Sequence, residues 1–293
     1  MTTRKQDIEL IKNHKKAITV IIGNQKGGVG KTTNTYLISY ILAKWGIKTL
    51  VCDLDPQANS SKTLLLTKSQ SSNEILEIRK TLMYGVQQGN LANIPVKILD
   101  NLYLLPSYTD FKDFAKFLYQ NTDNKHDEVF FLKPLFEPLK EDYDVILIDV
   151  PPLSIEVTEN AAAFSDYVLI SLQTQDDSLS GAEEYLNILA ELKQEFDLPI
   201  EVLGILPMLS DRRGSVDQKI LQDATKQYGK DNIFSEIVPL MARIKRFSMQ
   251  GISEKDRFDE KVLDKYKKVT KEFLDRLYDF ESSKETNLFE GDK

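Results

Sequence analysis

Two kinds of apolar pattern alternate along this chain. Continuous apolar runs, typical of strands buried on both faces of a sheet, occupy residues 17–22, 48–53, 102–105, 143–150, 167–172 and 202–206. Apolar positions recur at helix spacing over residues 32–45, 74–83, 110–119, 179–196 and 255–280. Strands that alternate with helices predict an α/β fold, a doubly wound and mostly parallel β-sheet with helices on both faces.

The pattern predicts a single domain over residues 1–280, which begins with a polar helix within residues 1–16. Residues 53–59 and 121–127 are predicted as loops, and residues 69–73 as a polar turn. Residues 281–293 are polar and acidic, so we expect a disordered tail. No internal repeat or linker divides the chain.

The loop after the first predicted strand reads GNQKGGVGKTT over residues 23–33. A strand, a glycine-rich loop and a helix form the context in which such a segment binds phosphate. Glycines let backbone amides approach the oxygens, and the helix N-terminus adds partial positive charge. Lys31 would then reach the β- and γ-phosphates, and the Thr32 hydroxyl would ligate Mg²⁺. The alternative is a glycine-rich turn that binds nothing. Two lysines and three glycines in this register disfavour that alternative.

This loop departs from the general P-loop pattern. Gln25 stands where that pattern has a glycine, five residues before Gly30, and a second lysine occurs at Lys26. The loop therefore has the deviant form Lys-Gly-Gly-x-Gly-Lys-Thr.

Acidic residues follow two of the predicted strands. Asp149 ends an apolar strand, and an acid at the carboxyl end of a strand can hold the Mg²⁺ shell. Asp53 and Asp55 end the second strand and lie two residues apart, on one side of the chain. Asp55 is well placed to orient an attacking water, and Asp53 could reach the metal or the loop. A strand-capping acid and a solvated turn are the alternatives.

Composition narrows the class of protein. The net charge is −7 over 293 residues, which argues against a surface that binds nucleic acid everywhere and allows a local basic patch. One cysteine, Cys52, cannot form a disulfide or a multi-cysteine metal cluster within one chain. No apolar run reaches the ~18 residues that span a bilayer, and the N-terminus lacks the apolar core of a signal peptide. We therefore expect a cytoplasmic protein.

Three stretches together resemble the ParA/Soj branch of the deviant Walker-A ATPases, which segregate plasmids and chromosomes. They are residues 26–33, residues 53–59 and the strand end at residues 149–152. The likeness runs from about Ala17 to Arg246. With 22 residues before Gly23, the chain is most similar to the short, delta-type plasmid partition ATPases, which have no N-terminal helix-turn-helix domain.

The resemblance implies hydrolysis of ATP with Mg²⁺ and assigns the catalytic residues. Lys26 matches the signature lysine, which crosses the interface of an ATP-bound homodimer to the partner's phosphates. Lys31 matches the lysine that binds the phosphates of its own subunit. Asp55 matches the switch aspartate needed for hydrolysis.

The same resemblance assigns the ligands. Thr32 matches the Mg²⁺ ligand and Asp149 the Walker-B acid, and Asp53, from its position at the strand end, completes the predicted metal ligands. Pro207 and Met208 match the segment that lies against adenine. The loop residues expected to contact the nucleotide are Gly27, Gly28, Val29, Gly30, Lys31, Thr32 and Thr33.

Basic residues supply a candidate DNA surface. Arg212 and Arg243 stand where the family places arginines for non-specific DNA binding, and Arg213 could serve in place of Arg212. Lys245 and Arg246 complete a group of three cations in four residues. The sequence around residue 239 departs from the sequence usual in the family. A solvated helix face is the alternative. The resemblance further implies a centromere-binding partition protein as partner and association with the nucleoid, and no membrane.

Other functions remain to be weighed. A MinD-like, membrane-recruited positioning ATPase would need a basic amphipathic helix at its C-terminus, whereas residues 287–292 are short and acidic. An iron–sulfur reductase would need two cysteines per subunit, and a tyrosine autokinase a tyrosine-rich tail. A nucleotide-binding switch without hydrolysis stays open, because hydrolysis depends on the geometry of Asp55.

Overall fold

A computed structural model describes residues 4–72, 78–174, 178–209 and 214–290. Its strands are β1 (Ile18–Gly23), β2 (Thr49–Asp53), β3 (Val96–Leu99), β4 (Leu102–Leu105), β5 (Val145–Asp149), β6 (Tyr167–Gln173), β7 (Glu201–Leu209) and β8 (Val238–Pro239). They form one sheet in the order β3-β4-β2-β5-β1-β6-β7-β8. Neighbouring strands are parallel except β3 and β4. The predicted fold class is confirmed.

Helices cover both faces of this sheet. They are α1 (Arg4–Asn13), α2 (Lys31–Lys44), α3 (Asn59–Ser72), α4 (Leu82–Gln87), α5 (Phe114–Gln120), α6 (Lys125–Val129), α7 (Lys133–Phe136), α8 (Ile155–Phe164), α9 (Ser178–Phe196), α10 (Ser215–Tyr228), α11 (Ala242–Gln250) and α12 (Arg257–Glu290). Short 3₁₀ turns occupy Thr109–Asp113, Glu137–Glu141 and Lys230–Asn232. Among these helices, none is both long and apolar enough to cross a bilayer.

Successive side chains of the central strands enter two different cores. Ile18, Val20 and Ile22 of β1 pack with α1, α2, α3, α11 and α12, whereas Ile21 packs with the helices from α4 to α10 on the other face. Every residue of β1, β2 and β5 is buried. Strands covered on both faces must be apolar throughout, which is why these runs could be recognised in the sequence.

Strand register brings the functional segments to one end of the sheet. Ile22 of β1 and Asp53 of β2 both lie opposite Asp149 of β5. The loops that follow these three strands therefore begin side by side. In doubly wound sheets this carboxyl end is where ligands bind.

The prediction for residues 59–83 needs correction. α3 (Asn59–Ser72) covers residues 60–68, which had no predicted element, and continues into the residues predicted as a turn. Residues 78–80 of the predicted helix lie outside any helix, and residues 73–77 are not among those described. The side chains of Thr63, Thr67 and Ser69 donate hydrogen bonds to carbonyls four residues earlier. These hydroxyls therefore bond within the helix and do not form the turn that the polar composition predicted.

The expected end of the last helix near residue 280 was also wrong. α12 continues to Glu290, while residues 291–293 are not described. Glu281 is only 7% exposed. Its carboxylate accepts hydrogen bonds from Tyr167 and Lys284 and lies beside His14. These partners retain the helix past the predicted boundary. The sequence patterns also missed β3, β8, α7, α8, α10 and α11, and α6 begins at Lys125, within residues predicted as a loop.

The pairing of His14 with Glu281 makes stability depend on pH. His14 Nδ1 lies 2.6 Å from the Lys16 carbonyl, and Nε2 lies 3.3 Å from Glu281 Oε2, so the doubly protonated ring satisfies both acceptors. The hydrogen bond to Glu281 raises the pKa of His14 above 6.5, against the effect of burial and with help from Asp166. Burial alone would raise the pKa of Glu281, but bonds from His14, Tyr167 and Lys284 lower it to about 2.

We expect the stabilisation by this pair to be greatest between about pH 4.5 and pH 6.5. The part due to His14 is complete below pH 6.5 and is lost as the pH rises through its raised pKa. The part due to Glu281 is complete above pH 4.5 and is lost as the pH falls toward 2. His14→Gln should lower the free energy of unfolding by up to about 1 kcal/mol at pH 5.5 and by less at pH 8.5.

Urea unfolding at the two pH values measures this difference. His126→Gln, at a side chain that is 70% exposed, is the control. A loss of stability in His14→Gln that is equal at both pH values would contradict the assignment.

Candidate functional site

The glycine loop joins β1 to α2 as the sequence predicts. Gly28 and Gly30 adopt positive φ angles of 78° and 93°, which residues with a side chain rarely adopt. Gly30 immediately precedes the first residue of α2. The left-handed turn at Gly30 therefore directs the chain into the helix, whose first amides face the loop.

Lys31 lies at the centre of this loop. Its side chain is buried, the residue being 6% exposed, and Nζ donates hydrogen bonds to the carbonyls of Asn24 and Lys26 at 3.0 and 2.9 Å. Burial lowers the pKa of Lys31, while the nearby charges of Asp149 and Asp55 oppose that shift. The loop thus holds one ammonium group within reach of two carboxylates.

Asp149 is buried with one of its carboxylate oxygens left without a partner among the described residues. The residue is 1% exposed, and Oδ2 accepts a hydrogen bond from Ser60 at 2.6 Å. Burial raises the pKa of Asp149, and Ser60 and the nearby Thr32 hydroxyl oppose that rise. Its Oδ1 is buried without a hydrogen-bond partner among the described residues. A buried carboxylate oxygen needs a partner, and Mg²⁺ prefers carboxylate and hydroxyl oxygens. Asp149 and Thr32 therefore fit a magnesium ion.

Both carboxylate oxygens of Asp53, unlike those of Asp149, accept hydrogen bonds within the described part of the protein. Its Oδ2 accepts hydrogen bonds from the backbone and hydroxyl of Ser61, and its Oδ1 accepts one from the Asp55 amide. Burial and the neighbouring Asp149 raise the pKa of Asp53. These contacts favour an anchoring role, in which Asp53 ties the loop of residues 54–58 to the start of α3, over the predicted role as metal ligand.

The loops enclose a cavity of about 550 Å³ at the carboxyl end of the strands. Asp55, which is 9% exposed, lines it opposite Lys31 and Thr32. The structure thus brings together most of the predicted nucleotide-site residues. The described lining consists of Gly27, Gly28, Gly30, Lys31, Thr32, Thr33, Asp55, Pro56, Gln57, Asn59, Pro151 and Pro152.

Other predicted residues lie around this cavity. Val29, within the loop, is buried, and Lys26 is partly exposed beside Gly181 of α9. Met208 packs against Gly30, at the end of the loop. Pro207 is buried in β7, where it pairs with Leu172. The roles of Lys26, Pro207 and Met208 remain predictions.

The predicted DNA-binding residues on α11 fall into two groups in the structure, one buried in ion pairs and one exposed. Arg243 is not a free surface cation: its side chain is 12% exposed, and its guanidinium pairs with Asp256 and Asp259 of the segment that begins α12. Lys245 and Arg246 are exposed on α11. A paired arginine anchors α11, so we correct the prediction for Arg243. Arg212 and Arg213 lie outside the described residues.

Sequence reasoning missed residues that shape the loop from beneath. Asn24 donates a hydrogen bond to the Ser171 carbonyl at 2.8 Å and accepts one from the Lys26 amide at 2.8 Å. Gly23 lies against the ring of Tyr185 in α9. Ser60, whose hydroxyl donates to Asp149, was also missed. These residues depend on contacts between distant segments.

The sheet, the deviant loop and the acids at the strand ends define a P-loop nucleoside triphosphatase of the deviant Walker-A class. A family model described as an AAA domain matches residues 16–202. The chromosome partitioning protein ParA of Myxococcus xanthus is 32% identical over 225 residues, which cover 77% of this chain and 76% of the relative. The chromosome-partitioning ATPase Soj of Treponema pallidum is 29% identical over 234 residues, 80% of this chain and 87% of the relative.

Among solved structures, a variant of Cyanothece McdA in complex with ATP superposes with a TM-score of 0.74 at 19% identity, covering 89% of this chain and 97% of that one. This likeness concerns the fold. The sequence matches reach further: the chain belongs to the ParA/Soj family of partition ATPases.

Two glycines of the loop should respond differently to an added methyl group. A Cβ at Gly23 would lie 2.2 Å from Cε1 of Tyr185, a ring that is 1% exposed, whereas a Cβ at Gly27 would meet nothing closer than 3.8 Å. We expect Gly23→Ala to lower the free energy of unfolding by about 1–3 kcal/mol through overpacking. Gly27→Ala should stay within about 0.5 kcal/mol.

Urea unfolding of the two variants tests this packing. Tyr185→Leu in the Gly23→Ala background should recover part of the loss, because it removes the ring. Equal stabilities of the two alanine variants would show that Tyr185 does not constrain the loop.

Proposed function

We propose that this protein is a partition ATPase that binds and hydrolyses ATP with Mg²⁺, dimerises in the ATP state and binds DNA without sequence preference. The observation that carries the proposal is the convergence of Lys31, Thr32 and Asp55 at one cavity, with Asp149 buried close to Lys31. The names of the relatives, chromosome partitioning proteins, support the biological setting.

ATP would lie with its phosphates in the glycine loop. Exposed Gly27 and Gly28 let backbone amides approach the oxygens, and the N-terminus of α2 adds partial positive charge. Lys31 would exchange its bonds to the loop carbonyls for the β- and γ-phosphates. Mg²⁺, held by Thr32 and Asp149, would neutralise phosphate charge. Pro207 and Met208 would border the adenine, as the family resemblance implies.

Asp55 is the residue proposed to orient the attacking water. It faces the cavity, and one of its oxygens accepts a hydrogen bond from the Gln57 amide at 2.8 Å, which fixes the carboxylate. An oriented carboxylate positions a nucleophile without contributing to nucleotide affinity. Slow hydrolysis, raised by a centromere-binding partner, would follow from a site that a second protein must complete.

Lys26 is the residue proposed to act across the dimer. It does not line the described cavity of its own subunit, although its backbone carbonyl binds Lys31. A lysine beside the site rather than within it is suited to reach a second subunit. ATP bound between two chains would then be the link that joins them.

Exposed cations on α11 are the proposed DNA contacts. Lys245 and Arg246 project from a helix that is anchored by buried Phe247 and by the ion pairs of Arg243. A dimer aligns two copies of this surface, which couples DNA binding to the nucleotide state and would retain the protein on the nucleoid. Phosphate contacts of this kind carry no sequence information.

Substitution of the two lysines should separate nucleotide binding from dimerisation. Lys31→Ala removes a charged hydrogen bond, so ATP affinity should fall by at least ~1.5 kcal/mol, about tenfold. Lys26→Ala should retain ATP affinity and lose the ATP-dependent dimer. Fluorescent-nucleotide titration and light scattering with ATP and Mg²⁺ measure the two properties. Unchanged affinity in Lys31→Ala would contradict the nucleotide site, and an ATP-dependent dimer of Lys26→Ala would contradict its action across the interface.

Removal of the exposed cations should weaken DNA binding uniformly. For each DNA phosphate that is no longer neutralised, the slope of log affinity against log salt should flatten by about 0.9, thus about 1.8 for one position in a dimer. Lys245→Ala and Arg246→Ala should show this on unrelated duplexes in ATP, with dimerisation unchanged. Lys116→Ala on α5, across the sheet, is the control. Parental slopes in both variants would place the DNA surface elsewhere, and ATP-dependent pelleting with liposomes would favour the MinD-like alternative.

A further inference from the structure

A chain of buried hydrogen bonds connects the C-terminal helix to the glycine loop. The Tyr266 hydroxyl of α12 donates to Asn34 Oδ1 of α2 at 2.8 Å, and Asn34 Nδ2 donates to Ser171 Oγ of β6 at 2.9 Å. Ser171 Oγ then donates to the Val29 carbonyl in the loop at 2.6 Å. Tyr266, Asn34 and Ser171 are each fully buried, so water does not replace these bonds.

The hydrogen bonds all run in one direction, with each donor pointing from α12 toward the loop. Burial raises the pKa of Tyr266 well above its ordinary value, so the hydroxyl retains its proton and donates it. The Asn34 amide has one accepting and one donating end, and a donor at Oδ1 turns Nδ2 toward Ser171. The single proton of the Ser171 hydroxyl is then free to point at Val29. Each donor depends on the one before it.

We propose that Tyr266 is a positioning residue for the nucleotide site, because its hydroxyl orients Asn34 and Ser171 so that Ser171 holds the carbonyl of Val29 in the phosphate-binding loop. This role rests on the proposed binding of ATP by that loop. Tyr266 acts through Asn34 and Ser171 and does not touch the nucleotide.

Loss of the Tyr266 hydroxyl leaves the amide of Asn34 two unfavourable orientations. In the present orientation, Oδ1 is buried without a donor. In the reversed orientation, Oδ1 takes the Ser171 proton, and the carbonyl of Val29 is released. A buried group without a partner is costly in either case. The loop then no longer has one preferred arrangement.

The same helix supplies a matched control. Thr270 lies one helical turn after Tyr266 and is also fully buried, and its hydroxyl has no hydrogen-bond partner among the described residues. Thr270→Val therefore removes a buried hydroxyl from α12 and leaves the hydrogen bonds from Tyr266 to Val29 intact. Tyr266→Phe removes one hydroxyl and keeps the ring.

Hydrogen exchange in the nucleotide-free protein tests the inference independently of ATP binding. Tyr266→Phe and Ser171→Ala should each speed exchange of a peptide covering residues 23–33 severalfold, and Thr270→Val should leave it unchanged. Both chain variants should also weaken ATP binding by about fivefold, the scale of one hydrogen bond. Because they break one chain, the double variant should lose no more than Ser171→Ala alone.

Three results would overturn the inference: exchange in Tyr266→Phe equal to that in Thr270→Val, effects of Tyr266→Phe and Ser171→Ala that add, or parental exchange in Ser171→Ala. The last of these decides the question if Tyr266→Phe does not fold. Faster exchange in a protein whose parent binds no ATP would support the chain and contradict the proposed function, so the two failures are distinguishable.

Discussion

The structure depends on the burial of one ammonium group beside three carboxylates at the end of the central strands. Lys31, Asp53 and Asp149 are each at most 6% exposed, and Asp55 is 9% exposed. Buried charges are tolerated only when they are paired and hydrogen-bonded. Here the start of α3 supplies hydroxyls and an amide to the acids, and the loop supplies carbonyls to the lysine. The placement of α3 and the shape of the loop are therefore parts of one electrostatic arrangement.

The strands and the loop could be predicted from sequence because each is a local pattern. A strand buried on both faces must be apolar, and a phosphate loop must contain glycine at its left-handed positions. The features that could not be predicted join residues far apart in the chain. The ion pairs of Arg243 reach 13 and 16 residues ahead, and the bond from Tyr266 to Asn34 spans 232 residues. A cluster of cations in sequence says nothing about which of them a distant acid will neutralise.

α2 contributes both to the proposed nucleotide site and to the core, and each role constrains the other. Its first residues, Lys31 and Thr32, belong to the proposed nucleotide site, and nearly all the residues that follow are buried against the sheet, α3 and α12. A phosphate-binding helix with an exposed face could move as a unit. This one is packed on most of its circumference, so rearrangement of the site is left to the loops on either side. The residues of the cavity that belong to those loops include Asp55, Pro56, Pro151 and Pro152.

The two edge strands of the sheet limit how copies of this protein can associate. β3 is four residues long, and its pairing shifts register between Lys97 and Leu99. β8 has two residues, and the nitrogen of its Pro239 has no hydrogen to donate. Short, irregular or proline-bearing edge strands do not template the addition of another strand. These edges therefore disfavour growth of the sheet from one molecule into the next, and they leave helices and loops as the surfaces for association.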